Sequence, residues 1–181
     1  MLTEYRHFVR AETELLAEFL SGEEWPFHST GSPERELVRR HVAEGHYDSD
    51  SVRTFWIMIE GKRAGLIRLF DIDDGTPLFD LRVARAYRGL GVGRHAVRWL
   101  TKYLFTALPA ISRIEGTTRQ DNHAMRRVFR LCGYTKEAHY REAWPGCDGI
   151  LYDGVGYAIL RRDWATGTLT MPEWDDEHAG L

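Results

Sequence analysis

A run of glycines, Arg88-Gly89-Leu90-Gly91-Val92-Gly93, stands between a strand-like apolar stretch and the start of an amphipathic one. Glycines let a backbone close tightly on a bound group, and the first N–H groups of a helix have no partner of their own. The two together make a site for an anion such as a phosphate. Two carboxylates lie on the strand-like runs to either side, Asp80 within residues 78–83 and Glu115 within residues 111–118. A carboxylate near a reacting group is a candidate proton acceptor. Each also has a purely structural alternative: Asp80 stands two residues from Arg82 on one strand face, and Glu115 has Arg113 or Arg68 as a partner.

The elements that hold these residues follow from the pattern. Leu15, Leu16, Phe19 and Leu20, closed by Gly22, predict a short helix from Thr13. Ser32-Pro33-Glu34 predicts an N-cap with proline in the first turn of a second helix, which reaches about Ala43. Residues 54–59 and 64–72 flank Glu60-Gly61-Lys62 as a hairpin, and Pro77 opens a third strand. Beyond the glycines, Ala96, Val97, Leu100, Tyr103 and Leu104 mark one helical face. Residues 111–118 form another strand, and Asp121 or Asn122 caps a helix with inner face Met125, Val128 and Phe129, ended by Gly133. Residues 134–144 and 155–160 close the chain as two strands, before a short polar tail from Thr166. No repeat or linker interrupts this order. The expectation is a single α/β (α+β) domain over residues 1–181, core about 5–164 and tail 165–181, with a mixed sheet covered on both faces by helices.

Composition narrows the function. A net charge of −3 over 181 residues and a pI near 6.2 argue against a nucleic-acid partner. No run approaches the roughly 20 apolar residues of a membrane span, and the first residues lack the basic-then-apolar pattern of a signal peptide. Cys132 and Cys147 make neither a disulfide framework nor a metal-ligand set. These readings point to a cytoplasmic protein with no membrane partner and no metal.

Two readings of the glycine run compete with a third. The Gly-x-x-x-x-Gly-Lys-Ser/Thr string of a nucleotide-hydrolysing loop is missing. Gly91-Val92-Gly93-Arg94-His95-Ala96 matches Gly-x-Gly-x-x-Ala, with Glu115 near the place of a ribose-binding acid, so an NAD(P)-dependent oxidoreductase stays an alternative. Only 66 residues follow Glu115, too few for the rest of such a fold. The whole string from Val83 to Gly93, with Asn122 and then Gly133-Tyr134, resembles the acetyl-CoA motifs of the GNAT superfamily of N-acetyltransferases. The likeness spans about residues 5–164. Its ending, Tyr157 to Asp163-Trp164, resembles the branch that acetylates ribosomal-protein N-termini.

The resemblance implies a mostly antiparallel sheet of six to seven strands and acetyl-CoA as cofactor. It implies that backbone amides from Arg88 through Gly89, Leu90, Gly91, Val92 and Gly93 to Arg94 cradle the pyrophosphate, with charge added by Arg88 and Arg94. Leu81, Arg82 and Val83 would line the pantetheine arm, and the amide near Val83 would donate to the thioester carbonyl. Asn122 would cap its helix beside the pantetheine, and Arg127, with Arg126 and Arg130, would reach the phosphates. Phe129 faces the cofactor where many relatives place a tyrosine, and Met125 stands where the ribosomal branch has serine. Tyr134 or Tyr140 is then the substitute acid, unless none is needed. Asp80 and Glu115 lead as base, followed by Asp71, Asp73 and His28. Trp25, Phe27 and His28, with Asp71 and Tyr140, would wall the acceptor. The expected activity is direct acetyl transfer to a primary amine, either a protein N-terminus or a small amine, by a monomer or homodimer. The altered Met125 and Phe129 keep open a non-catalytic acyl-CoA-binding regulator.

Overall fold

Along the hairpin of β2 (Arg53–Ile59) and β3 (Lys62–Phe70), successive side chains point to opposite faces, and both faces are apolar. Phe55, Ile57, Ile67 and Leu69 pack under α3 (Val92–Ala107), through Val97, Leu100 and Leu104, and under Phe129 of α4 (His123–Leu131). Trp56 and Leu66 face the other way, against Leu16, Ala17 and Leu20 of α1 (Thr13–Ser21) and Val38 and Val42 of α2 (Arg35–Ala43). Helices therefore cover both faces, and two apolar cores form, one on each side. The computed structural model describes residues 2–174; Met1 and residues 175–181 of the expected tail lie outside the described residues.

Five more strands complete the sheet: β1 (Thr3–His7), β4 (Leu78–Val83), β5 (Arg113–Arg119), β6 (Thr135–Pro145) and β7 (Leu151–Leu160). The order is β1-β2-β3-β4-β5-β7-β6, and every neighbouring pair is antiparallel except β4–β5. That exception positions the site. β5 pairs with β7 from Arg113 to Arg119, whereas it meets β4 only at Leu78↔Glu115, with Glu115 N donating to Pro77 O at 3.0 Å. Beyond Leu78 the two strands part, and the sheet opens into a wedge.

The hairpin, the third strand and the helices at α1, α3 and α4 stand where the pattern places them. β1 was not expected: Thr3-Glu4-Tyr5-Arg6-His7 is an edge strand with little apolar content, anchored by Tyr5 stacked on Trp99 at 4.1 Å. Ser32 does not cap α2. Its hydroxyl donates to Ser21 O at 3.2 Å, the helix starts at Arg35, and extended Glu34 holds the cap position. The ending at Asp163-Trp164 is helical, α5 (Arg161–Thr166). There Arg161 donates to the carbonyls of Phe105, Leu108 and Ile111, satisfying backbone groups at and beyond the end of α3.

Candidate active site

The wedge between β4 and β5 opens a cavity of about 310 Å³. On the α3/α4 side its wall is Leu81, Thr118, Asn122, Met125 and Phe129; on the α1/α2 side it is Phe27, His28, Arg68, Asp80, Arg82, Thr117 and Trp144. The cavity thus reaches through the sheet, and groups brought in from opposite faces can meet there. Antiparallel pairing leaves alternate residues with both backbone groups turned away from the partner strand. Ala84 N donates to Ala64 O, so Leu81 and Val83, out of phase with it, direct their N–H and C=O groups away from β3 and into the gap left by β5. Arg88 Nε donates to the Val83 carbonyl at 2.8 Å, and the Val83 amide has no partner among the described residues.

At the mouth of the gap, six successive amides, Gly89 through Arg94, have no hydrogen-bond acceptor among the described residues. The first helical bond of α3 is His95 N to Gly91 O. Gly89 at φ 77° and Gly91 at φ 84° adopt a left-handed backbone that side chains resist, and this turns the amides outward together. The positive end of a 16-residue helix adds to the same field. The arrangement fits a pyrophosphate without requiring a side-chain ligand.

Asn122 opens α4 by accepting from Met125 N at 3.1 Å, and its amide donates to Thr118 Oγ1 at 3.0 Å, which ties the helix to β5 beside the cavity. Phe129 fills the floor. Its ring stacks on Tyr157 at 4.7 Å and lies so close to Gly116 that a Cβ there would fall 2.6 Å from its para carbon. A tyrosine hydroxyl in place of that para hydrogen would run into strand β5.

On the opposite wall, cross-strand register sets Arg68 beside Asp80 and Leu66 beside Arg82, all on the α1/α2 face. Asp80 Oδ2 accepts from Arg82 Nε at 3.2 Å, and Asp80 Oδ1 from His28 Nε2 at 2.8 Å. Burial opposes ionisation of Asp80, but the Arg82 charge and the His28 hydrogen bond outweigh it and hold the carboxyl well below the usual carboxylate range. An ionised carboxylate only accepts, so His28 Nε2 carries a proton and, in the neutral ring, Nδ1 bears the lone pair. Nδ1 is buried and has no partner among the described residues. His28 is held in place by its loop: Trp25 Nε1 donates to Leu20 O, His28 N to Trp25 O, and Arg119 Nη1 to Pro26 O.

Several expected site residues stand elsewhere. Glu115 is absent from the cavity wall; its carboxylate pairs with Arg113 at 2.7 Å, and the same arginine binds Glu137. Trp25 is 2% exposed in the core between α1 and α2, under the guanidiniums of Arg82 and Arg88, and walls nothing. Asp71 occupies a turn with φ 54° outside the cavity, and Tyr140 is on the exposed outer part of β6 beside Asp153; Trp144 on the same strand is the one that reaches the wall. Arg88 is turned back onto Val83 O, Glu24 O and Glu23, whereas Arg94 in the first turn of α3 and Arg127 and Arg130 on α4 are exposed, without side-chain partners among the described residues. Tyr134 is buried, its phenol pushed far up by burial and hydrogen-bonded to Thr101 at 2.8 Å. Arg68 is the wall residue that sequence reading passed over as an acceptor-site group. Its alternation with Leu66 in the hairpin would have placed it on this face. His41, Glu44 and His46 bring ligand atoms within 4.8 Å of one another at the end of α2, and none of them lines the cavity.

The family model for the acetyltransferase (GNAT) family matches residues 14–134. No curated protein matches the chain. A spermidine N-acetyltransferase SpeG chimera from Vibrio cholerae and hSSAT has a similar solved structure, with a TM-score of 0.78 at 17% identity over 91% of this chain and 99% of that one. RimL, a ribosomal L7/L12 alpha-N-protein acetyltransferase in complex with coenzyme A, gives 0.77 at 17% identity over 87% and 93%. At such identities these likenesses establish the fold.

Proposed function

The chain belongs to the GNAT family of acetyltransferases, and from that premise we propose that it transfers acetyl directly from acetyl-CoA to a primary amine. The observation that carries this reading is the row of unpartnered amides, Gly89 to Arg94, placed at the mouth of a gap lined by the free backbone edge of β4. Acetyl-CoA, when bound, supplies an acetyl thioester that a neutral amine converts to an amide. The amides of Gly89–Arg94 bind the pyrophosphate, and Arg94 and Arg127 add charge near it. Leu81 and Val83 offer the pantetheine a strand edge to pair with, and the Val83 N–H stabilises negative charge on the carbonyl oxygen.

An alkyl ammonium with a pKa of about 10.4 must lose a proton before it attacks. His28, on the cavity wall, accepts that proton through Nδ1, while Asp80 fixes the ring's tautomer. Asp80 itself is a poor base, because Arg82 and His28 stabilise its ionised form. No acid is assigned to the departing sulfur: Met125 and Phe129 are apolar, and a thiol with an ordinary pKa of about 8.5 leaves without one. Structurally similar proteins acetylate spermidine or a ribosomal-protein N-terminus; a primary amine is what those acceptors share.

Thiol release from acetyl-CoA, followed with a panel of primary amines, tests the proposal. Amine-dependent release is expected. Acetyl-CoA binding without accelerated release for any amine would instead identify an acyl-CoA-binding regulator, and thermal stabilisation by NADH but not by CoA an oxidoreductase.

A further inference from the structure

Among the described residues seven buried side-chain polar atoms have no partner, and four of them belong to residues of this one cavity: His28 Nδ1, Arg68 Nε, Arg82 Nη1 and Trp144 Nε1. His28 Nδ1 is accounted for as the proton acceptor. The other three are N–H donors, two of them on guanidiniums. A buried donor without a partner is unfavourable, and a site that carries three is built for an acceptor brought in by a ligand.

The charges agree. The wall holds two guanidiniums and one carboxylate, and Asp80 is already bound by both Arg82 and His28. Arg68 has no carboxylate partner among the described residues. Its guanidinium lies over the rings of Phe70 at 4.9 Å and Tyr47 at 5.8 Å, and its remaining hydrogen bond is a 3.4 Å contact to His46 O. One positive charge is left over on a low-dielectric surface. A polyamine would bring two or three more to the same place.

We propose that the acceptor is a small primary amine that carries a carboxylate, an amino acid in the chemical sense, whose oxyanion is held by Arg68, Arg82 and Trp144 while its nitrogen faces His28. This rests on the acetyltransferase reading and names the acceptor class for it. The nitrogen gains the acetyl carbon as the C–S bond breaks. CoA leaves as thiolate; of the two protons the ammonium sheds, the one lost before attack passes to His28 Nδ1 and the one lost after attack neutralises the thiolate. A cavity of about 310 Å³ matches an acceptor of this size.

The test uses the full chain and matched acceptors: a series of amino acids, the carboxamide of each, aminoalkyl phosphonates of equal length, and spermidine. The kcat/KM for a carboxylate is expected to exceed that for its carboxamide by about 100-fold or more, with spermidine slower still. Arg68→Met should cut the carboxylate-to-carboxamide ratio at least tenfold, and Arg68→Lys should restore part of it. Equal rates for acid and amide, a preference for spermidine or the phosphonate, or an Arg68→Met ratio unchanged from wild type would overturn the proposal. Calorimetry with the N-acetylated acids separates the two readings. Should no amine be acetylated, the acetyltransferase reading fails, whereas the anion site stands if wild type binds the acids and Arg68→Met does not. It falls if neither protein binds them.

Discussion

Replacing Gly116 with alanine sets a methyl group against the floor of the cavity. An ideal Cβ there lies 2.6 and 2.7 Å from two carbons of the Phe129 ring and 3.0 Å from one of Phe79, well inside ordinary contact. The ring cannot withdraw cheaply, because its far face stacks on Tyr157 at 4.7 Å and it also touches Tyr134. Overpacking of this kind costs about 1–3 kcal/mol. In a chain of this length that lowers Tm by about 2–4 °C for each kcal/mol. Thermal and urea unfolding of G116A, F129L and the double variant measure it. The double variant should be more stable than the sum of the single effects by about 1 kcal/mol or more, because the smaller side chain vacates the space the methyl needs. A G116A protein within 0.5 kcal/mol of wild type, or strictly additive losses, would refute the idea that Phe129 is pinned against β5.

Three further outcomes follow from the site. His28→Gln should lower kcat by about 10²–10⁴-fold while leaving acetyl-CoA affinity, measured by calorimetry, as in wild type; a rate within threefold of wild type contradicts its role as proton acceptor. Asp80, whose carboxyl is held below its unfolded value, contributes stability that is full above the ordinary carboxylate pKa of about 3.9 and is lost as pH falls through the lower folded value. The gap in unfolding free energy between wild type and Asp80→Asn should therefore shrink on acidification, and a gap that widens would reverse the assignment. Tyr134→Phe removes a buried hydrogen bond to Thr101, whose own proton goes to Val97 O. It should cost about 1 kcal/mol of stability and leave kcat intact, and a large fall in kcat would restore Tyr134 as an acid.

Features with a local cause were legible in the sequence. The glycines at 89 and 91 are required by their own φ angles, Asn122 caps its own helix, and the β2–β3 hairpin follows from alternation around a short turn. Features decided by distant contacts were not. His28 gains its place from a carboxylate 52 residues away, and Trp25 is core because α1 and α2 close over it. Glu115 and Asp80 look alike along the chain. The parting of β4 and β5 leaves only Asp80 on the cavity wall, and Arg113 claims the other acid. Edge strand β1, short and mostly polar, carries too weak a pattern to stand out.

Amide chemical shifts recorded during a titration with CoA test the central claim most directly. Saturable shifts concentrated at Gly89–Arg94, Leu81 and Val83 are predicted, with none on addition of NADH. Binding of CoA that leaves those amides unmoved while shifting others would contradict the account.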